Sequence, residues 1–310
     1  MTLEVNHTEE FVSEFDTIIS PDDIHVQIDG DIIAYACASA ADGKYYLVKD
    51  GSFSGRIFKK AEEANAYLAT LGLSKLWREE VYKPDPIENC LHSVKMMVKS
   101  ILKGCGSDKY TIYLTGHSNF REKVAPSYKA NRVGMHRPYH LASCREYLMS
   151  RFKTVMVHGA EADDAIGIAH TEFGYDNSII ASLDKDLDML PGYHYRWAVG
   201  NSDAVLYNQT LLDAARCFYK QMITGDTTDN IEGLSMPAPS KRSYSDKPID
   251  SMEYISEIYD YVWEGYLLKY KEESLAKEML DREAKLLWIH RECKSVEPMG
   301  YMEFFYHIDY

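Results

Sequence analysis

Three short β-branched runs in this chain lead straight into acid: V-Q-I-Asp29-Gly-Asp31, V-M-V-H-G-A-Glu161-A-Asp163-Asp164 and I-I-A-S-L-Asp184-K-Asp186. Stretches of helical period separate them, and strands alternating with helices of about 10–15 residues imply an α/β fold around a central, mostly parallel sheet flanked by helices. In an open parallel sheet ligands bind beyond the carboxyl ends of the strands, so these acids are expected to converge. A fourth group, Gly225-Asp226-T-T-Asp229-Asn230, follows a helix expected over 211–224.

Along the chain, residues 1–23 are polar, acidic and without period, and read as a flexible arm. A core is expected over 24–224. It opens with a strand at 25–28 and a helix beginning in I-I-A-Y-A-C-A-S-A. A strand at 45–48 and a helix over 59–71 look like an insertion, closed by Pro84 and Pro86. Next come a helix over 87–102, a strand at 110–114, a helix over 141–152, a strand at 154–157, a helix over 163–173 and a strand at 178–182. Short strands at 193–198 and 205–207 precede the helix at 211–224. A change of subdomain is placed near 225, because 236–248 is loop-like and 252–290 is helical in period and rich in Lys and Glu.

With 45% hydrophobic and 26% charged residues among 310, the chain has an ordinary globular balance. No apolar run approaches the ~18 residues of a membrane span, and Met1–Glu10 is acidic where a signal peptide is basic, so a cytoplasmic protein without a membrane partner is expected. The six cysteines include no C-x-x-C pair, which argues against a zinc ribbon or a disulfide framework. The net charge of −14 opposes a partner held by bulk positive charge, so nucleic acid would be held locally.

Each acidic group has an ordinary structural use: Asp163 and Asp164 in a helix's first turn, Asp184 and Asp186 as caps, Asp226 and Asp229 in a turn. Together they read differently. Nine converging carboxylates without comparable Lys or Arg stay ionised only if cations neutralise them, since like charges a few Å apart cost several kcal/mol in a partly buried site. Cys and His are scarce in these motifs, which favours hard, oxygen-ligated Mg²⁺ or Mn²⁺ over zinc. Two such ions about 3.5–4 Å apart form the kind of site that hydrolyses phosphodiesters.

The ordered set I-D-G-D (28–31), F-R-x-x-x-x-P-x-Y-K-A-N-R (120–132), E-A-D-D (161–164), S-x-D-K-D-L (182–187) and G-D-x-x-D-N-I-x-G-L (225–234) resembles the 5′-nuclease superfamily of flap endonucleases and 5′ to 3′ exonucleases, its T7-like phage branch in particular. The resemblance implies a PIN-like fold with a helical arch at about 116–150, and a degenerate helix-hairpin-helix with a C-terminal helical subdomain over 225–310. It implies a first metal held by Asp29, Glu161, Asp163 and Asp164, and a second held by Asp184, Asp186, Asp226 and Asp229. Asp29, Lys129 and Arg132 are the implied catalytic residues, the two cations contacting the scissile phosphate or the 5′ strand. Its implied substrates are DNA 5′ ends, flaps and RNA primers, cut to 3′-OH and 5′-phosphate, with phage replication proteins as further partners and the host cytoplasm as location. The residue chemistry agrees: a basic, tyrosine-containing segment beside an acidic site neutralises phosphate and stacks a base, with Tyr128 as the stacking candidate. Arg121 reads as a second phosphate contact or a salt bridge.

Two departures stand out. The family's acid after the strand preceding F-R is missing in L-T-G-H-S-N-F-R, around Gly116 and His117, which loosens the implied first metal site or hands a ligand role to His117. The family's glycine turn after D-N-I-x-G is replaced by L-S-M-P-A-P-S-K-R, so duplex contact passes to Lys241 and Arg242 and K⁺ binding is not implied. Two rival readings stay open. In one, an aspartyl phosphatase uses Asp29 and Asp31 as nucleophile and general acid. In the other, a branched-DNA binder has kept the fold without catalysis.

Overall fold

The computed structural model describes residues 24–51, 55–234 and 244–292. The arm expected at 1–23, together with Lys241 and Arg242, lies outside the described residues. In chain order the elements are β1 (His25–Asp29), α1 (Gly30–Ala41), β2 (Asp42–Val48), β3 (Arg56–Phe58), α2 (Ala61–Thr70), β4 (Arg78–Pro84), α3 (Ile87–Cys105), β5 (Tyr110–Asn119), α4 (Arg121–Val124), α5 (Leu141–Arg151), β6 (Thr154–Gly159), α6 (Ala162–Phe173), β7 (Ser178–Ala181), β8 (Gly192–Arg196), β9 (Val205–Gln209), α7 (Leu211–Thr224), α8 (Ile255–Tyr270) and α9 (Glu273–Leu287). No described helix is long and apolar enough to cross a membrane.

The chain divides into two compact units. Among the described residues, the first contains 24–32, 99–135, 152–234 and 244–292. Its six-stranded sheet runs β6-β5-β1-β7-β8-β9, parallel throughout except for the antiparallel β8–β9 pair. Every residue of β1 is buried, as a central parallel strand covered on both faces requires. From β1 the sheet grows toward β5 on one side and toward β7 on the other, so β1 borders a topological switch point. The register sets Asp29 beside Tyr113 and Ile28 beside Ala181, which brings the carboxyl ends of β1, β5 and β7 level.

Helix α7 has the bounds its sequence signals require. Thr210 caps the start by accepting from the Asp213 amide at 3.1 Å, and Gly225 ends it with φ 67°. Its apolar stripe (Ala215, Phe218, Tyr219, Met222, Ile223) is buried in one cluster with Ile258, Val262, Tyr266, Leu280, Ala284 and Leu287 of α8 and α9. The C-terminal helices therefore share the core of the sheet unit, and no compact boundary falls near 225 as expected from composition.

The second unit contains the described residues 33–51, 55–98 and 136–151. Its β3-β2-β4 antiparallel sheet was only partly legible: β2 was expected, whereas β3 has three residues and β4 lies in a charged run. The expected arch at 116–150 is not one piece. Residues 136–151 belong to this second unit, where His136 Nε2 lies 2.8 Å from Asp42 Oδ2 and stacks on Tyr82 at 3.7 Å between ring centroids. The described cysteines are free thiols, as expected.

Candidate functional site

At the carboxyl end of β1, Asp29 accepts hydrogen bonds from the Ile32 amide at 3.1 Å and the Ser182 hydroxyl at 2.8 Å, and is only 3% exposed. Burial raises its pKa to about 7 against those two bonds, with Asp31 and Asp184 pushing the same way. Burial also raises Asp163 well above the carboxylate range, reinforced by Asp29, Asp184, Glu161 and Asp164. After β7, Asp184 accepts from the Asp186 amide at 2.9 Å, and burial followed by Asp229 and Asp226 raises its pKa. Burial, Asp184 and Asp226 bring Asp186 to about 7, and the Gln221 amide of α7 donates to its Oδ1.

The 225–234 loop folds back on itself to deliver the remaining acids. Asp226 and Ile231 exchange backbone hydrogen bonds at 2.9 and 2.7 Å. Gly225 and Gly233 both hold positive φ where the two arms of the loop meet, and a Cβ on Gly233 would lie 2.3 Å from the Gly225 nitrogen. Asp226 is buried and accepts from the Thr228 amide at 2.7 Å. Glu161, Asp163, Asp186, Asp226 and Asp229, with Arg121, Tyr128 and Gln221, line a cavity of about 30 Å³. The acids expected to converge from β1, β6, β7 and the loop after α7 are thus brought together.

The basic segment sits on them. Lys129 Nζ pairs with Glu161 Oε1 and lies 3.3 Å from Asp229 Oδ2, while Arg132 donates to Asp229 Oδ1 at 2.5 Å. Lys129 takes a left-handed conformation (φ 54°), and its amide donates to the Asp229 carbonyl at 2.9 Å. Both side chains keep part of their surface exposed, 26% and 46%.

Three readings are corrected. Arg121 is buried, forms a two-pronged pair with Asp164 at 2.7 and 2.9 Å, and donates to the Leu286 and Trp288 carbonyls, so its guanidinium is engaged in a structural ion pair. Asp164 is spent in the same pair and also accepts from the Glu161 and His290 amides, which leaves its oxygens saturated rather than open to a metal. The Arg121 guanidinium keeps its carboxyl below the usual range despite burial. Tyr128 is 6% exposed with its hydroxyl between Glu161 and Asp229, so its ring offers no surface for stacking a base.

Asp31 accepts from the Thr115 amide at 2.8 Å, so the backbone of β5 engages one of its carboxylate oxygens. Where the family's acid is missing, β5 bulges between Thr115 and Asn119, and the His117 amide donates to His158 Nδ1 at 3.2 Å. Gln221 and Ser182 were not foreseen as site residues. A glutamine breaking the apolar stripe of α7 was the available signal for the first, and the serine of S-x-D-K-D-L for the second.

The donor set is entirely oxygen and gathers around a small polar cavity, which suits hard divalent cations. Among the described residues no three His, Cys, Asp or Glu side chains already close around one ion-sized point. Lys129, Arg132, Tyr128 and Gln221 engage oxygens of Glu161, Asp229 and Asp186 instead.

No family model matches the sequence. It is similar to the exonuclease of Escherichia phage T7, 26% identical over 215 residues that cover 65% of this chain and 66% of the relative. A similar match links it to the exodeoxyribonuclease of Enterobacteria phage T3, 26% identical over 214 residues, 64% and 66% of the two chains. The matches span just under two thirds of these relatives' lengths. Among solved structures, a 5′-exonuclease of phage T5 aligns with TM-score 0.44 and 14% identity over 85% of this chain and 97% of its own. The catalytic core of Rad2 in complex with DNA substrate aligns with TM-score 0.44 and 12% identity over 87% and 75%. Over about two thirds of its length the chain is thus similar to the exonucleases of phages T7 and T3.

Proposed function

We propose that this protein is a divalent-metal-dependent 5′ to 3′ exonuclease or flap endonuclease that hydrolyses DNA phosphodiesters near 5′ ends. One observation carries the reading: acids following β6, β7 and α7 line one small cavity, Asp29 at the end of β1 interacts with Asp163 and Asp184, and Lys129 and Arg132 pair with Glu161 and Asp229. Asp29, Glu161 and Asp163 would hold one cation, and Asp184, Asp186, Asp226 and Asp229 a second, with Mg²⁺ or Mn²⁺ suited to such ligands. Bound there, the cations supply the activation of water and the neutralisation of the leaving oxygen that phosphodiester hydrolysis needs.

The chain's own residues do the rest. Asp29 is held by Ile32 and Ser182 so that its orientation is set before any ligand arrives. Lys129 and Arg132 are the cations that exchange carboxylate for phosphate when DNA enters, orienting the strand and offsetting its charge. The missing acid at Gly116 leaves the first cation fewer protein ligands than the family pattern provides. Removal of RNA primers and degradation of DNA from 5′ ends beside a phage's replication proteins, in the host cytoplasm, belong to the same proposal.

The test is single-turnover cleavage of a 5′-flap duplex by wild type, Lys129→Ala and Arg132→Ala, with DNA binding measured separately in EDTA across salt. Loss of one charge aimed at the reacting phosphate is expected to slow cleavage by about 10²-fold, and each variant should lower the salt slope of binding by about one. Unchanged cleavage in both variants contradicts the assignment.

A further inference from the structure

Resting on the metal-centre reading, we propose that Tyr128 is a positioning residue that links Glu161 to Asp229 and sets their separation for cation binding. The hydroxyl lies 3.0 Å from Glu161 Oε2 and 2.8 Å from Asp229 Oδ2, carboxylates 68 positions apart that belong to the start of α6 and the loop after α7. A single phenolic proton lies between two anions. It lowers their mutual repulsion without adding a charge, and its direction holds one oxygen of each acid inward.

The backbone around Tyr128 is built to keep it there. Its amide donates to the Ala125 carbonyl at 2.9 Å, and the next amide, Lys129, donates to the Asp229 carbonyl at 2.9 Å. Asn230 Nδ2 reaches the Ser127 carbonyl at 2.8 Å and Asn131 Nδ2 the Thr227 carbonyl at 2.8 Å, so the 127–131 turn is stitched to the 227–230 loop on both sides. Lys129 Nζ stands 4.9 Å from the Tyr128 ring centre and supplies the neutralising charge, while Tyr128 supplies the direction. Partners that orient metal ligands from behind typically govern about 10–100-fold in metal affinity.

The experiment is a Mn²⁺ titration by calorimetry of wild type, Tyr128→Phe, Tyr128→Leu and Asp184→Asn, with DNA binding in EDTA measured alongside. Tyr128→Phe keeps the buried ring and loses only the hydroxyl, and a melting curve checks its fold. Tyr128→Leu is the second variant that lacks the hydroxyl. Both are expected to weaken Mn²⁺ binding by about 10-fold, with Tyr128→Phe leaving DNA affinity in EDTA unchanged. Wild-type Mn²⁺ affinity in folded Tyr128→Phe overturns the proposal. A base-stacking role also overturns it, and would show as DNA affinity lost in Tyr128→Leu alone with Mn²⁺ binding intact. No Mn²⁺ binding by wild type, matching Asp184→Asn, overturns the metal-centre reading and this inference with it, a result distinct from failure of the tyrosine alone.

Discussion

Arg121→Ala is expected to cost about 3–5 kcal/mol of stability, the scale of leaving one buried partner of an ion pair uncompensated. Asp164 is 1% exposed and stays charged at neutral pH because the guanidinium holds its pKa down, so removing the guanidinium strands an anion. The Leu286 and Trp288 carbonyls lose their donor in the same step, which loosens the end of α9 where it meets the site. An Arg121→Met, Asp164→Leu double variant should recover part of the loss, since no lone charge is then buried, although the Glu161 and His290 amides lose their acceptor. Chemical denaturation at pH 7 checks both. A cost under about 1 kcal/mol for Arg121→Ala would mean the pair is open to water, which is the range of exposed ion pairs.

The second large effect is a coupling between protons, divalent cations and stability. Asp29 and Asp186 rise from 3.8 to about 7 in the folded chain. A carboxyl raised by folding favours the folded state fully below its unfolded pKa, and that contribution is lost as pH rises through the folded value. The window is therefore about pH 4 to 8. At 1.36 kcal/mol per unit, a shift of about three units sets an upper bound near 4 kcal/mol for each group. The buried His170 and His194 act in the opposite sense, since their pKa values are lowered and stability falls as they are forced to charge below about 6.5. Comparing Mg²⁺ with EDTA at each pH separates the two, because cations compete with protons only at the carboxylates. The rise in Tm on adding Mg²⁺ should be several degrees at pH 8 and much smaller at pH 5.5. An equal rise at both pH values would mean that protons and cations do not share these oxygens.

Much of the fold was legible because local and long-range signals agreed. Helix α7 carries a threonine cap, an apolar stripe and a terminal glycine, and its expected bounds of 211–224 are those observed. The acids were legible as a group because a parallel sheet makes strand ends meet, so position in sequence translated into position in space. What escaped depends on partners distant in the chain. Nothing within a few residues of Arg121 signals that Asp164, 43 positions on, will bury it. Tyr128 reads as an exposed aromatic beside two cations until the Asp229 loop closes over it. Strands β3 and β4 escaped for a different reason: three and seven residues long and rich in charge, they lack the alternation that marks a half-buried strand.

The most direct measurement is cleavage of a 5′-flap duplex and a blunt duplex, labelled at the 3′ end, with Mg²⁺ or Mn²⁺ and with EDTA, comparing wild type with Asp184→Asn. The expected result is metal-dependent products that vanish in EDTA and fall by at least about 10²-fold in the variant, with product lengths separating exonuclease from flap cutting. DNA that is bound but left intact by wild type in both metals would contradict the account and favour a branched-DNA-binding protein.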